Sequence, residues 1–456
     1  MTRLTTVTSK FALFTIIIAA TGGILYGYEI GMINAAILFI KESIPLSPAE
    51  TSFTVAAVFA GSFLSTLLAG PLSDRFGRRN LMVYAAIFFI AGVVTLATAW
   101  RVDMLILGRL IQGMGIGIVS IIIPLYLSET VPAGVRGRGV GAFQLLLAGG
   151  IVCSNLVGYY FAQTHNWRAM IWTATAPGLL LLAGLFFLPE SPRWLYAKNN
   201  PKKALAVLAK MTASQEGSYE FKFMQEIQVQ DFGNWRALAQ LVNPLYLYPL
   251  TIVFAAAILQ QLSGINAFLQ YNATLLDAAG FRSDVTAILG GVSISIINLV
   301  VTVISLLLVD RVGRRPLLNI GLSGMVVALI GCAGVFFILP YGPLRAELLL
   351  SGLIMFIIFY GVGPGLIVWL ILSELLPLAV RGTGMGLALC LNALGSTLLS
   401  SLFIPLSDHI GYAGIFILCA IFALIYWYIA VFKIPETKNK TLEEIEYYFK
   451  NRHARR

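Results

Sequence analysis

Charged residues are scarce in this sequence of 456 residues: 11% are Asp, Glu, Lys or Arg, and 58% are hydrophobic. Because a soluble domain carries about 25% charged residues, a water-soluble fold is excluded. The four cysteines lie in apolar stretches without ligand-like spacing, and the three histidines lie in loops or near the end of the chain. No cofactor or metal site is therefore predicted, and without a nucleophile elbow or phosphate loop the chain is not expected to be an enzyme.

Long apolar runs are abundant instead, and each is long enough to cross a hydrocarbon core of about 30 Å as a helix. The first run is too long for a removable secretory signal and has no cleavage site, so it is interpreted as a helix of the mature protein. The pattern predicts an all-α membrane protein with twelve spans, at residues 11–38, 52–70, 81–99, 104–126, 139–162, 168–188, 246–276, 285–309, 316–339, 347–374, 383–406 and 411–433.

The net charge of +10 is distributed unevenly over the predicted loops. If both termini lie inside, 25 of the 31 Lys and Arg residues fall on the inner side, and Arg109 falls within a span. This positive-inside bias predicts a multi-pass cell-membrane protein with cytoplasmic termini. The bilayer, rather than a nucleic acid, is the expected partner of the basic excess. The other five basic residues lie in outer loops: Lys41, Arg101, Arg168, Arg282 and Arg345.

Short charged motifs recur in the two halves of the chain. The corresponding positions are 74–79 with 310–315, Glu129 with Glu374, Arg136 with Arg381, and 189–193 with 435–438. A tandem duplication of six spans in the same orientation places a substrate site at the interface of the halves, near the midplane, with alternating access by rocking. The predicted units are a six-helix bundle (1–188), a cytoplasmic linker with short amphipathic helices (189–245), a second six-helix bundle (246–434) and a cytoplasmic tail (435–456). From pattern alone, a plain solvated linker fits 189–245 equally well.

Taken together, the motifs resemble the sugar porter family of the major facilitator superfamily over nearly the whole chain. The resemblance rests on their joint order: Gly70-Pro71-Leu72-Ser73-Asp74-Arg75-Phe76-Gly77-Arg78-Arg79 and its second copy, Pro-Glu-Ser-Pro-Arg at 189–193, Gln260-Gln261-Leu262-Ser263-Gly264-Ile265-Asn266, Gly363-Pro364-Gly365 before Trp369, and Pro435-Glu436-Thr437-Lys438. It implies a monosaccharide carrier, functional as a monomer.

A sugar needs groups that both donate and accept hydrogen bonds, and an aromatic surface for its apolar ring face. Amides and aromatic side chains in the spans meet that need. The positions that match sugar-contacting positions of the family are Gln144, Gln260, Gln261, Asn266, Tyr271, Asn298, Trp369 and Asn392. The alternative is that these amides only join helices. The Gln-Leu-Ser at 261–263 is a hint of aldohexose preference in the family. The chain departs from relatives in having Gln270 before Tyr271, and Ala393 and Ser396 where several have a second aromatic or polar pair.

Glu29 and Arg109 are expected to form an ion pair, because a lone charge within a span costs several kcal/mol. In the family, proton-coupled members usually have Asp at the Glu29 position, and passive members have an uncharged residue. Glu keeps a group that can gain and lose a proton. The resemblance therefore favours proton–sugar symport. A passive sugar uniporter with a static ion pair is the alternative, and a non-transporting sugar sensor is a remote one.

Topology alone would explain the basic residues of the inner loops, but it would not explain the acidic residues interspersed among them. These residues are therefore predicted to form a charge network that closes a cytoplasmic gate. Its predicted members are Asp74, Arg78, Glu129, Arg136, Glu190, Arg193, Asp310, Arg314, Glu374, Arg381 and Glu436. Separately, the glycines around Pro364 are expected to interrupt the tenth span, where freed backbone groups can line a cavity.

Overall fold

The computed structural model describes most of the chain. The described residues are 9–132, 136–211, 241, 243–281, 283–377, 380–438, 444, 447 and 449, without the side chains of 136–138, 140, 244, 245, 310 and 382. The greater part of the predicted linker 189–245 and much of the predicted tail 435–456 therefore lie outside the described residues.

Every regular element within these ranges is a helix. The first half comprises α1 (Lys10–Ser43), α2 (Pro48–Phe76), α3 (Arg78–Ala97), α4 (Val102–Thr130), α5 (Arg136–Ala162), α6 (Trp167–Thr173) and α7 (Thr175–Leu185). Two short helices follow, α8 (Pro192–Ala197) and α9 (Pro201–Met211). The second half comprises α10 (Pro244–Leu262), α11 (Ile265–Ala279), α12 (Asp284–Val312), α13 (Arg314–Ile338), α14 (Pro343–Tyr360), a π-helical turn (Gly361–Gly365), α15 (Leu366–Glu374) and α16 (Arg381–Phe432).

Eleven helical segments of the described chain are long and apolar enough to cross a membrane. The last of them, Thr383–Phe432, contains two predicted spans, because the backbone leaves the helical conformation at Gly411 (φ 70°, ψ 167°). All twelve predicted spans are therefore helical. Within hydrocarbon this is the conformation that satisfies every backbone group inside its own segment.

The duplication is visible in how matching helices begin and end. Both α2 and α12 begin with a serine, Ser47 or Ser283, whose side chain accepts a hydrogen bond from the backbone N–H of the residue three positions later. Both end at a glycine with a positive φ, Gly77 (94°) and Gly313 (109°), directly before the next helix. Glycine is the residue that adopts this conformation without steric cost. The two halves therefore share local geometry as well as sequence motifs.

The most extensive contacts between the halves are those of α1 with α11, α2 with α16, and α5 with α12. We call the membrane face that bears residues 74–79 and 310–315 the motif face. Near the opposite face, the Asn34 amide nitrogen donates to Asn272 Oδ1 (2.9 Å) and the backbone N–H of Ile404 donates to Ser52 Oγ (3.1 Å). Both bonds join one half to the other, so the halves are fastened together on the side away from the motif face.

Two spans of the second half are broken where they approach the first. The seventh span stops at Leu262 and restarts at Ile265, around Gly264 with φ 103°. The tenth passes through the π-helical turn, as the glycine-rich sequence predicts. Broken helices in membrane proteins are tolerated where they line a cavity, and both breaks lie beside the cavity between the halves.

Candidate functional site

A cavity with about 680 Å³ of empty volume lies between the halves. We call it the main cavity. Helices α1 and α5 line it from the first half, and α10, α11, α12 and the tenth span from the second. Five of the predicted sugar-binding residues line it: Gln144, Gln261, Asn266, Asn298 and Trp369. Residues from three separate spans of the second half thus meet the α5 glutamine around one space.

The break in the seventh span places its amides at two heights. Gln260 and Gln261 close α10, and Asn266 opens α11 after the turn at Gly264. The Gln261 amide nitrogen donates to Asn392 Oδ1 (3.0 Å), and the Asn266 amide nitrogen donates to Ser396 Oγ (3.0 Å). These bonds to α16 hold both side chains in place.

Gln260 lies behind the cavity wall and fixes its shape. Its amide nitrogen donates to the Tyr360 hydroxyl (3.1 Å) and to the Pro364 carbonyl (3.2 Å), and its oxygen accepts from Asn392 Nδ2 (2.9 Å). The Pro364 carbonyl belongs to the π-helical turn. Gln260 and Asn392 therefore tie the broken tenth span to α16, so for these two amides the helix-joining alternative describes what the structure shows.

Other amides keep free hydrogen-bonding capacity. Gln261 Oε1 is buried without a partner, and the side chains of Gln144 and Asn298 form no hydrogen bond, within the part of the chain that the structure describes. A buried amide group without a partner costs about 1–3 kcal/mol. A polyhydroxylated ligand would remove that cost at Gln261 Oε1 and would find further partners in the amides of Gln144 and Asn298.

Tyr271 does not line the main cavity. Its ring stacks on Phe403 (centroids 4.6 Å apart, planes 3° apart), and its hydroxyl donates to the Ser400 carbonyl (3.1 Å). Its side chain is fully buried. The structure thus does not bring Tyr271 to the cavity wall, and its predicted contact with sugar remains a prediction.

Glu29 and Arg109 form an ion pair, and both side chains are fully buried. Arg109 also donates to the backbone carbonyls of Thr54 (3.2 Å) and Val55 (3.1 Å) on α2. Glu29 Oε2 has no partner among the described residues. The arginine is thus held by α2 as well as by Glu29, whereas the carboxylate is only half satisfied.

Around the first copy of the charged motif, Arg78 is bonded to two carboxylates. It reaches both oxygens of Glu129 (3.0 and 3.2 Å) and one oxygen of Asp74 (2.9 Å). Glu190 accepts the backbone N–H groups of Arg78 (2.9 Å) and Arg79 (3.1 Å), which cap α3. Burial raises the pKa of Glu190, outweighing the backbone N–H donors that lower it.

The second copy repeats this arrangement more loosely. Arg314 reaches Glu374 at 3.4 Å, and Glu436 accepts the N–H groups of Arg314 (3.1 Å) and Arg315 (3.0 Å). Burial alone would raise the pKa of Glu436, but backbone donors, those of Lys438 and Thr437 included, hold it below its usual value.

These ion pairs lie within one half each. Among the side chains that the structure describes, no ion pair shorter than 4 Å joins the two halves on the motif face. Arg381 donates to the Leu376 carbonyl (3.1 Å), and Arg193 is exposed. The side chains of Arg136 and Asp310 lie outside the described residues. The predicted cytoplasmic gate between the halves remains a prediction.

Sequence reasoning missed two tyrosines of the main cavity, Tyr26 on α1 and Tyr360 at the end of α14. A signal for each was present. Tyr26 precedes Glu29 by less than one helical turn, and Tyr360 directly precedes the glycine-rich interruption. Both supply an aromatic ring and a hydroxyl next to Trp369, which suits a sugar's mixed polarity.

Comparison with known proteins agrees with this geometry. The family model described as "Sugar (and other) transporter" matches residues 15–449. The chain is 36% identical to a glucose transporter of Staphylococcus epidermidis over 446 residues, covering 97% of this chain and 98% of that protein. It is 30% identical to a galactose-proton symporter of Escherichia coli over 435 residues, covering 95% and 93%. Its fold resembles the Escherichia coli proton:xylose symporter bound to 6-bromo-6-deoxy-D-glucose, with TM-score 0.79, 25% identity, and coverage of 96% and 99%.

Proposed function

This chain belongs to the sugar transporter family of the major facilitator superfamily, and we propose that it is a proton-coupled symporter of a monosaccharide. Members of this family are multi-pass membrane transporters rather than enzymes. The proposed cargo is an aldohexose such as glucose or galactose, and the proposed coupling pair is Glu29 with Arg109. We further propose that the protein works as a monomer with both termini in the cytoplasm.

The observation that carries the proposal is the arrangement of α1. Tyr26 and Ile30 of this helix line the main cavity, and Glu29, between them in sequence, is buried in the ion pair with Arg109. One helix therefore connects the sugar space with the titratable group. Movement of α1 around a bound sugar changes the contact of Glu29 with Arg109.

The unequal support of the two charges fits proton exchange. Arg109 keeps two backbone acceptors on α2 when Glu29 loses its charge, whereas Glu29 has one charged partner and an unbonded oxygen. Breaking a buried ion pair costs about 3–5 kcal/mol if the charge left behind is uncompensated. Protonation of Glu29 removes that charge, and Arg109 remains bonded.

For the sugar, support comes from the free amide groups of Gln144, Gln261 and Asn298 beside the rings of Trp369 and Tyr26. Such groups bind hydroxyls by donating and accepting, and the rings cover the apolar face of the sugar. Binding in this space also buries groups from both halves. The sugar would thereby join the two halves in the occluded state.

Uptake into proteoliposomes tests the proposal. Purified protein should take up labelled D-glucose, D-galactose or D-xylose, and an inward pH gradient should drive accumulation above the equilibrium level. Equilibration without a response to the gradient would indicate a passive carrier. Failure to take up any sugar of the panel would contradict transport by this chain.

A further inference from the structure

A second, smaller cavity lies on the other side of Tyr26 and Trp369. These two aromatic residues line both spaces, and the second has about 330 Å³ of empty volume against about 680 Å³ for the main cavity. We call it the side chamber. Its walls come from α2, α4 and α16, with Phe59 and Leu389 as apolar members. The side chamber therefore shares part of its lining with the proposed sugar site, and both halves contribute to its walls.

Small residues leave this space open. Ala393 and Ser396 of α16 line the chamber, one turn apart and next to Asn392. A large side chain at position 393 would project into the chamber beside Trp369 and fill it.

Two hydroxyls of α2 point to a ligand in the chamber. Ser62 and Thr66 stand four residues apart, on one face of the helix, and their residues are only 8% and 5% exposed. Neither hydroxyl forms a hydrogen bond within the described part of the chain. A neighbour on the same helix behaves differently, because Ser65 donates to the Ser62 carbonyl (3.1 Å). Buried hydroxyls normally have partners, so Ser62 and Thr66 are available to a polar group that enters the chamber.

We propose that the side chamber is the subsite for the exocyclic hydroxymethyl group of an aldohexose whose ring occupies the main cavity. The inference rests on the proposed function. The larger space takes the ring, and the space half its size takes the one substituent that extends from a hexose ring and that a pentose lacks. Phe59 and Leu389 contact its methylene, and Ser62 and Thr66 bind its hydroxyl. The chamber therefore selects hexoses over pentoses.

Inhibition of labelled D-glucose uptake by two analogues tests the subsite in proteoliposomes. D-Xylose lacks the whole hydroxymethyl group, and 6-deoxy-D-glucose lacks only its hydroxyl. In the wild type, D-xylose should inhibit about tenfold less well than D-glucose, since the loss of one methylene from a pocket weakens binding by about 10- to 200-fold. If D-galactose is the sugar carried, L-arabinose and 6-deoxy-D-galactose serve in the same way.

Three variants locate the selectivity. Thr66→Val and Ser62→Ala should lower the affinity for D-glucose to that for 6-deoxy-D-glucose and leave inhibition by D-xylose unchanged. Ala393→Leu, which fills the chamber, should reduce the affinity for D-glucose to that for D-xylose. Retained inhibition by D-xylose would show that this variant is folded. Ser65→Ala is the matched control on the same helix, and it should affect both sugars alike.

Two outcomes would contradict the proposed subsite. In one, the wild type binds pentose and hexose with equal affinity; in the other, the chamber variants lower the affinity for both sugars equally. The first would mean that the chamber holds only water or stays empty during transport. A wild type that takes up no sugar would instead contradict the proposed function itself.

Discussion

The two halves of this protein are alike at the motif face and unlike in the membrane interior. At the motif face, Glu190 and Glu436 cap equivalent helices through the same pairs of backbone N–H groups. In the interior, the first half has a buried ion pair on continuous helices, and the second has neutral amides on broken helices. From this difference we propose a division of labour, in which the first half holds the proton site and the second holds most of the sugar ring.

The largest expected loss of stability comes from removing the counter-ion of one buried charge. Arg109→Gln leaves Glu29 buried without a counter-ion, so we expect a loss of about 3–5 kcal/mol in the free energy of unfolding. Asn392→Ala in the second half removes only neutral hydrogen bonds and should cost about 1–3 kcal/mol. Thermal unfolding in detergent measures both. The double variant Glu29→Gln/Arg109→Gln should recover most of the loss, and equal losses in the two single variants would argue against the comparison.

The charged clusters should differ in strength despite their common geometry. Arg78 and Glu129 side chains are each 6% exposed and doubly bonded, whereas those of Arg314 and Glu374 are 15% and 21% exposed and joined at 3.4 Å. We expect Glu129→Ala to cost about 3 kcal/mol and Glu374→Ala about 1 kcal/mol. Melting temperatures of the two variants compare them directly. A larger loss from Glu374→Ala would reverse the ranking.

Substrate affinity should respond to amides of the second half and not to a buried amide of the first. Gln261→Ala removes a group with free capacity toward the main cavity, so KM for the sugar should rise about tenfold, equivalent to about 1.4 kcal/mol. Gln112→Met is the matched control. Gln112 is fully buried, its amide has no partner in the described chain, and it does not line the main cavity. Initial uptake rates give both KM values, and an equal rise in the control would count against the assignment.

The smallest expected effect is a difference in pH dependence between the two capping carboxylates. The lowered pKa of Glu436 adds stability that is present above the ordinary carboxyl value of 4.5 and fades as pH falls below it. The raised pKa of Glu190 has the opposite sign, since protonation on acidification favours the folded state. At pH 7, Glu436→Gln should therefore melt below wild type and Glu190→Gln above it, and both differences in melting temperature should shrink as the pH is lowered to 4. Parallel curves would contradict the assignment.

Much of the fold could be predicted from sequence because membrane spans and charged motifs leave strong local signals. The twelve spans, the duplication and the interruption of the tenth span all follow from hydropathy, repeated motifs and glycine content. The break at Gly264 was not predicted, because residues 246–276 are predicted as one continuous span. Its evidence is a single positive φ angle, which hydropathy does not record.

The site was predictable in composition but not in geometry. Sequence placed Gln144, Gln261, Asn266, Asn298 and Trp369 together, and the structure lines one cavity with them. It could not separate cavity-facing amides from Gln260, which faces inward to Tyr360 and Pro364, or show that Tyr271 stacks on Phe403. The contacts of Gln260 and Tyr271 depend on the direction in which each side chain points, and residue type alone does not determine that direction.

The most direct test of the division of labour is transport by Glu29→Gln in proteoliposomes, with counterflow and pH-driven accumulation measured on the same preparation. Counterflow needs only the sugar site and rocking of the halves, whereas accumulation needs a group that exchanges a proton. We predict that the variant exchanges sugar in counterflow at a rate near that of wild type and loses accumulation against a gradient. Undiminished accumulation driven by pH would contradict the account.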